Sequence, residues 1–491
     1  MSTQPTSPIE LNGTESKLAQ AVVLPDDFLE RLTAMCTVTT DVHDTADASR
    51  DWWPLAMHWA LAGQVMQRAA VVARPINTAE VAAVLALCNG AGVPVTAAGG
   101  RSGVLGASIP LFGGVLLDLT ALRGLLSVDA VSGIVEVLPG TFGPDLEAEL
   151  RGSFGLTIGH YPQSFDIATV GGWVACRGAG QYSTRYGKIE QMVVGLEVVI
   201  ADGRVVRTGG FPAAAQGPDI TQLFVGSEGT LGVITRVWLK AHPVPSAEMR
   251  AAYGFTSFEA GLEACRRVLR RGATPAVLRL YDAAESKRGQ GGDGQYCVLL
   301  VLDEGDDRLV AATMDVVAQE CRGATGLPDQ LVEKWMHHRN DTSALQALTR
   351  KGFVVDTLEI AAPWSALPAI FADVPAAMLA VPHARSATCH LSHSYLDGAC
   401  LYFTFAATPP ADEVESTYVA LWDAGQRAVF AAGGNLSHHH GVGLNRARFA
   451  GQALGSAMSV LQAMKTTLDP HGILNPGKMG LKTPFGEIDW P

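Results

Sequence analysis

Three consecutive histidines, His438, His439 and His440, stand between glycine pairs in the stretch "GGNLSHHHGVGLNR". Imidazole titrates near neutral pH, and crowding several imidazoles keeps some of them neutral and basic. Such a triplet can move protons, contact a substrate or ligate a metal; it is internal and too short to be a purification tag. In an extended segment successive side chains alternate faces, which puts His438 and His440 on one side and His439 on the other. One metal ion could not easily take all three, and a metal site would need help from His390 and His393 in "CHLSHSYLDG". Proton transfer and substrate contact are the favoured reading, with no metal.

Glycine marks a second kind of chemistry. "AAGGRSGVLGAS" follows an apolar strand and holds Gly99, Gly100, Gly103 and Gly106. Glycines let successive backbone N–H groups converge on one point, a nest suited to a pyrophosphate. A nicotinamide fingerprint requires a helix straight after such a loop. None is expected here, which disfavours that fold. "HYPQSFDIATVGGWVACRGAG" supplies a second glycine-rich loop and "QLFVGSEGTLGVITRVWLK" a third. Three such loops in one domain argue for a single large, extended cofactor that carries phosphate.

The elements that hold these loops are legible in the pattern. "AVVARP", "VPVTAAGG", "GGVLLDLTAL" and "LLSVDAVSGIVEVLPG" read as strands, the last with a hairpin turn at Asp129 to Gly133. "NTAEVAAVLALCNGAG" reads as a helix capped by Asn77, with Glu80 three residues on and Val81, Val84, Leu85 and Cys88 on one face; Gly90 or Gly92 ends it. After "VWLKAHPVP" helical stretches such as "SFEAGLEACRRVLRRG" alternate with strands such as "YCVLLVLDEG" and "CLYFTFAA", which looks like a second unit. The expected layout is an arm and helical segment over 1–65, a cofactor domain over 66–245, a cap over 246–432 and a closing segment over 433–491.

Composition excludes several classes. The 491 residues are 48% hydrophobic and only 17% charged, a globular enzyme-like make-up. The net charge of −12 repels phosphate backbones, so no nucleic-acid partner is expected. No apolar run approaches the ~20 residues of a membrane span. The polar start "MSTQPTSPIELNGTESK" lacks the layout of a signal peptide. The eight cysteines are scattered with no CxxC pair, as reduced thiols in a cytoplasm would be. A cytoplasmic protein is the expectation, and a homodimer is compatible with it.

Taken together these motifs resemble the FAD-binding vanillyl-alcohol oxidase/p-cresol methylhydroxylase-type flavoproteins over nearly the whole chain. "DPHGILNPGK" is similar to the C-terminal signature of their oxidase and D-lactate dehydrogenase members. The resemblance implies an α+β fold: a two-lobed FAD-binding domain and an α/β cap that holds substrate over the flavin. It implies FAD contacts from Gly99, Gly100, Arg101, Ser102, Gly103, Val104 and Gly106 in the first loop. It adds Pro162, Gln163, Ser164, Thr169, Gly171, Gly172, Cys176 and Gly178 from the second, and Glu228, Gly229 and Ile234 from the third. Many relatives tether FAD to the histidine of a pattern like "RSGGH"; here the string is "RSGVLG", so non-covalent FAD is expected.

Within the superfamily, "TVGGWVACRGAG", "LRLYD", "GACLYFTF" and "LSHHHGVG" are most similar to the alkyldihydroxyacetonephosphate synthase branch. That resemblance places Arg177, Arg279, Tyr402 and His438 to His440 around the reacting centre. Arginine grips carboxylate or phosphate in a fork, and tyrosine relays protons at close range. Each has a plainer alternative: a surface ion pair for Arg177, a buried pair with Asp282 for Arg279, a core position for Tyr402. The reading that follows is an FAD-dependent oxidoreductase taking hydride from an alcohol or 2-hydroxy acid, with a small, anionic substrate. The alternative is a flavin-dependent alkyl transfer without net redox change. Acid or heat denaturation should release the yellow chromophore into the supernatant; flavin that stays with the precipitated chain would overturn the non-covalent expectation.

Overall fold

The computed structural model describes residues 13–14, 17–289, 294–341 and 343–491. The helix Thr78–Ala91 forms where the pattern places it. The Asn77 side chain accepts from the Glu80 amide, Gly92 closes the helix at φ +65°, and Val81, Val84, Leu85 and Cys88 are buried. That face packs on a four-stranded sheet ordered 37–39, 71–74, 115–118, 95–98, in which the last three strands are parallel. Val71, Val72, Ala73, Val115, Leu116 and Leu117 are all buried, the continuous apolar run expected of strands covered on both faces. A second lobe is a five-stranded antiparallel sheet ordered 205–209, 193–199, 233–240, 134–137, 125–129. The chain's last segment returns to the first lobe: the Val95 amide donates to Ile473 and the Asn475 amide to Val95.

The cap is a seven-stranded sheet ordered 325–327, 247–255, 297–305, 277–281, 384–394, 398–407, 354–363. Every pairing in it is antiparallel. One face is covered by the helices Phe258–Arg270, Asp307–Glu320, Leu367–Leu379 and Val414–Ala431, whose apolar residues join Leu278, Leu280, Leu358, Ile360, Leu391, Leu401, Phe403 and Phe405 in the largest core. Side chains alternate along a strand, so the residues between these point to the opposite face. Register then lines up Tyr281 with His390, His390 with Tyr402 and Tyr402 with Glu359, a polar row across four neighbouring strands.

Glu359 ends that row and is 0% exposed. Its carboxylate accepts from the backbone amides of His438, His439 (3.2 Å) and His440 (2.9 Å), from Ser437 Oγ (2.9 Å) and from Arg446 Nη1 (2.8 Å). Arg446 is also 0% exposed; it donates to the Glu359 and Gly441 carbonyls and lies 5.0 Å from the Trp422 ring centre. Burial pushes the Glu359 carboxyl up, but Arg446 and the neighbouring His440 and His438 outweigh it and hold it at about 2. The buried pair thus bolts the histidine segment to the underside of the cap.

This clamp contributes to the acid stability. The Glu359 pKa is depressed from 4.5, so its contribution is complete above that pH and is lost as pH falls toward about 2. His438 and His440 act in the same sense: buried, they fall from 6.5 to about 3 and about 4, so the unfolded chain takes up their protons first. The melting temperature should decline steadily from about pH 6.5 down to about pH 3 by calorimetry. Glu359→Gln should destabilise at neutral pH by about 3–5 kcal/mol, because it leaves Arg446 buried without its counter-charge. A variant as stable as the parent would refute the clamp.

Candidate functional site

One elongated cavity runs between the two lobes and under the cap. Gly99 to Val104, Pro162 to Ser164, Thr169, Gly171, Gly172, Cys176, Gly178, Glu228, Gly229 and Ile234 all line it, together with Tyr402, His439 and His440. Gly99 and Gly100 have no room for a side chain: a Cβ there would run into Thr169 Oγ1 and the Ile167 carbonyl. Arg101 adopts the left-handed φ of +54°, and its guanidinium turns back to the Asp47 carbonyl at 2.6 Å, leaving the loop's backbone along the wall. Two buried side chains on the wall, His160 and Trp173, have ring nitrogens without a partner among the described residues. A glycine trough of backbone amides with unpartnered ring nitrogens beside it fits FAD: the loop amides would hold its phosphates.

Two of the expected contacts are built otherwise. Gly106 lies off the wall; its φ of +73° and the Trp53 ring, 3.0 Å from where a Cβ would sit, make it a packing glycine. Glu228 is on the wall, but its carboxylate accepts the amides of Val442 (2.6 Å) and Gly443 (2.8 Å). It ties the third glycine loop to the segment after the histidines.

The histidines do not alternate. Residues 438–440 form a turn wrapped around Glu359 rather than an extended strand, so neighbouring rings meet, with centroids 5.1 Å and 4.3 Å apart. His439 stacks on Tyr402 at 5.9 Å, and His440 meets it edge-on at 5.6 Å. Tyr402 Oη donates to Thr357 Oγ1 at 3.0 Å. The Tyr402 ring borders the cofactor cavity, on the face opposite the cap's helical core. His438 turns away from the cavity: its Nε2 is 2.8 Å from Tyr395 Oη and its Nδ1 is 2.9 Å from His439 Nδ1. Burial drives His438 to about 3, His440 to about 4 and His439 well below its usual value. All three are neutral at pH 7 and able to accept a proton.

A second cavity adjoins the first at Gln163, which lines both. Arg279, Lys334, His338 and Arg339 line it with Tyr281 and Trp335, and no carboxylate does among the described residues. Arg279 donates to Tyr281 Oη at 2.7 Å and reaches His390 Nε2 at 2.6 Å. His390 Nδ1 in turn meets Glu285 at 2.8 Å. Since a guanidinium can only donate, His390 is neutral with its proton on Nδ1. Arg339 lies over the rings of Tyr182 (5.0 Å), Tyr161 (5.4 Å) and Trp335 (5.8 Å), and its buried Nη1 has no acceptor among the described residues. Cations held on aromatic faces, one with a spare donor, make an anion pocket.

Arg279 therefore stands at a pocket and does not pair with Asp282, whose carboxylate accepts the amides of Glu285 and Cys389 (both 2.7 Å). Arg177 is placed differently from expectation. Its guanidinium, 47% exposed, faces Glu190 at 3.4 Å, and the residue lines neither cavity. The His390–His393–His439 metal option fails on geometry, because both His390 ring nitrogens are engaged. The ligand-type atoms that do lie within 4.8 Å of one another belong to Glu359, Cys400, His438 and His439. Glu359, Arg446, Glu285, Lys334, Arg339 and Tyr395 escaped the motif reading. The one signal for Glu359 was that it and Asp356 are acids in the otherwise largely apolar "VVDTLEIAAP".

Comparison with known proteins agrees with this architecture. An FAD binding domain family model matches residues 69–209, and the model of the FAD linked oxidases' C-terminal domain matches 244–479. The uncharacterised FAD-linked oxidoreductase YgcU of Escherichia coli O157:H7 is 33% identical over 433 residues, 83% of this chain and 88% of its own. Alkyldihydroxyacetonephosphate synthase of Dictyostelium discoideum is 28% identical over 458 residues (85% and 74%), and glycolate oxidase subunit GlcD of Bacillus subtilis (strain 168) is 28% identical over 433 residues (84% and 89%). In solved structures the fold matches an alkyldihydroxyacetonephosphate synthase at 24% identity with a TM-score of 0.78 over 94% of this chain and 89% of the other. It also matches substrate-bound p-cresol methylhydroxylase at 16% identity with a TM-score of 0.76 over 95% and 99%. Among the described residues no helix is long and apolar enough to cross a membrane. With the two family models matched over 69–209 and 244–479 and a 33% identical relative covering 83% of it, the chain belongs to the FAD-linked oxidoreductase family and binds FAD.

Proposed function

We propose that the protein is an FAD-dependent oxidase or dehydrogenase acting on a small alcohol or 2-hydroxy acid that carries an anionic group. The observation that carries this reading is the juxtaposition of a neutral His439–His440–Tyr402 wall on the cofactor cavity with the Arg279–Lys334–Arg339 pocket beside it. Bound FAD supplies the acceptor for the hydrogen and electron pair that leave the substrate's C–H bond. The glycine loops hold the cofactor without a covalent link. Arg279 and Arg339 grip the carboxylate or phosphate and orient the hydroxyl toward the histidines. His439 is the base: its Nδ1 is tied to His438, while no protein group bonds its Nε2 among the described residues and the side chain is 13% exposed. Tyr402 keeps its proton because burial raises its pKa; at rest that proton goes to Thr357 Oγ1, and it turns to the substrate oxygen when substrate binds.

A second reading, alkyl transfer on a glycerone-phosphate-type substrate, is supported by the 28% identical synthase. The two separate in one experiment. Anaerobic addition of 2-hydroxy acids and anionic alcohols to the yellow protein should bleach the flavin; absence of bleaching with every anionic alcohol, together with exchange of acyl for alkoxy groups, would select the transferase. Arg339→Ala and Arg279→Ala should raise KM about 10- to 100-fold with flavin content unchanged, the cost of a lost charge-assisted contact. Arg177→Ala should leave KM near the parent value, since its partner is Glu190. Normal KM in both pocket variants would remove the anion-gripping role.

A further inference from the structure

His439 does not stand alone behind the cavity wall. Its Nδ1 meets His438 Nδ1 at 2.9 Å, His438 Nε2 meets Tyr395 Oη at 2.8 Å, and Tyr395 Oη lies 3.4 Å from Ser183 Oγ. His438 is buried, and Tyr395 is only partly so; it opens the turn in which Leu396 and Asp397 are exposed. The row therefore leads from the cofactor cavity through one buried imidazole to the Tyr395 hydroxyl, on the residue that precedes the exposed 396–397 turn.

We infer that His439, His438 and Tyr395 form a proton relay that carries the substrate's hydroxyl proton from the cavity to solvent. The inference rests on His439 being the base of the proposed reaction. In the direction required, His439 carries its resting proton on Nδ1 and donates it to His438 Nδ1, and His438 carries its own on Nε2 and donates to Tyr395 Oη. The substrate O–H bond breaks as a bond forms at His439 Nε2. The His439 Nδ1 proton passes to His438 Nδ1, and the His438 Nε2 proton passes to Tyr395 as the phenol releases its own to water. One proton enters and one leaves; no electrons move along the path, since they depart with the C–H hydrogen to bound FAD. Re-entry of one proton along the same residues, from Tyr395 to His438 to His439, restores the starting tautomers.

The surroundings suit transit rather than storage. Lys188 Nζ sits on the His438 carbonyl at 2.6 Å and disfavours a lasting imidazolium there. Glu359, 3.8 Å from His439 Nδ1, eases the charge as it passes, and its pairing with Arg446 prevents it from becoming the proton's final holder. His393 stacks on His438 at 4.9 Å and is held by Ser183 at 2.8 Å, which fixes the middle ring in place.

Tyr395→Phe removes one hydroxyl and keeps the ring. Under anaerobic single turnover in weak buffer with a pH indicator, the parent should release its proton together with flavin bleaching. The variant should bleach at near the parent rate, yet its proton should appear roughly tenfold later or more, with steady-state kcat lowered and KM unchanged. Synchronous release at the parent rate would overturn the relay. The base reading fails separately: it falls if His439→Asn bleaches normally, and stands if that step slows by about 10²–10⁴-fold. A readout independent of turnover is the ¹⁵N spectrum of histidine-labelled resting protein. The relay expects Nδ1–H on His439 and Nε2–H on His438, with the latter ring's signals moved by Tyr395→Phe. The opposite tautomers, or a tightly held zinc ion shifting both Nδ1 signals, would overturn it.

Discussion

A carboxylate taken wholly out of water must find charge and hydrogen bonds or it will not ionise. Glu359 is such a group, and the site is organised around its needs. One arginine, one serine hydroxyl and three consecutive amides converge on it, and those amides are the ones that carry the histidines. A turn wound around an anion presents its side chains outward on one side, so His439 and His440 arrive together beneath Tyr402. The placement of the histidine rings thus follows from the satisfaction of a buried acid that two strands separate from the strand of Arg279.

The cap sheet does the rest by alternation. Its helix-facing residues make an apolar core, and the residues between them make a polar row facing the cofactor lobes. His390 is the telling member of that row. Set between Glu285 and Arg279, it is a neutral spacer that passes the orientation of a buried acid on to a guanidinium without neutralising its positive charge. The anion pocket can therefore stay cationic in a protein whose net charge is −12. The histidines of the triplet are kept neutral by burial.

The C-terminal segment joins the two halves. Glu228 holds the amides that follow the histidine turn, Asn475 Nδ2 donates to the Glu228 carbonyl at 2.7 Å, and residues 473–475 bond to the edge strand of the first lobe. A shift of the third glycine loop would therefore be felt by the histidine segment. The glycine-lined cavity and its histidine wall are mechanically one piece.

The sequence alone determined what short-range rules govern. The capped helix Thr78–Ala91, the flanking strands, the three glycine loops and their cofactor class follow from periodicity, caps and backbone freedom, which act within a few residues. The histidine triplet was also legible, but the neutrality of its rings comes from burial, which only the tertiary structure supplies. Tertiary structure alone decided which way they face: the alternation expected of an extended chain gives way to a turn because Glu359, 79 residues earlier, captures the amides. It likewise sent Arg177 to Glu190 and brought Arg339, from a helix end without any motif, to Arg279. Ion pairs and strand register join residues far apart in the chain, and no local pattern records which partner a buried charge will meet.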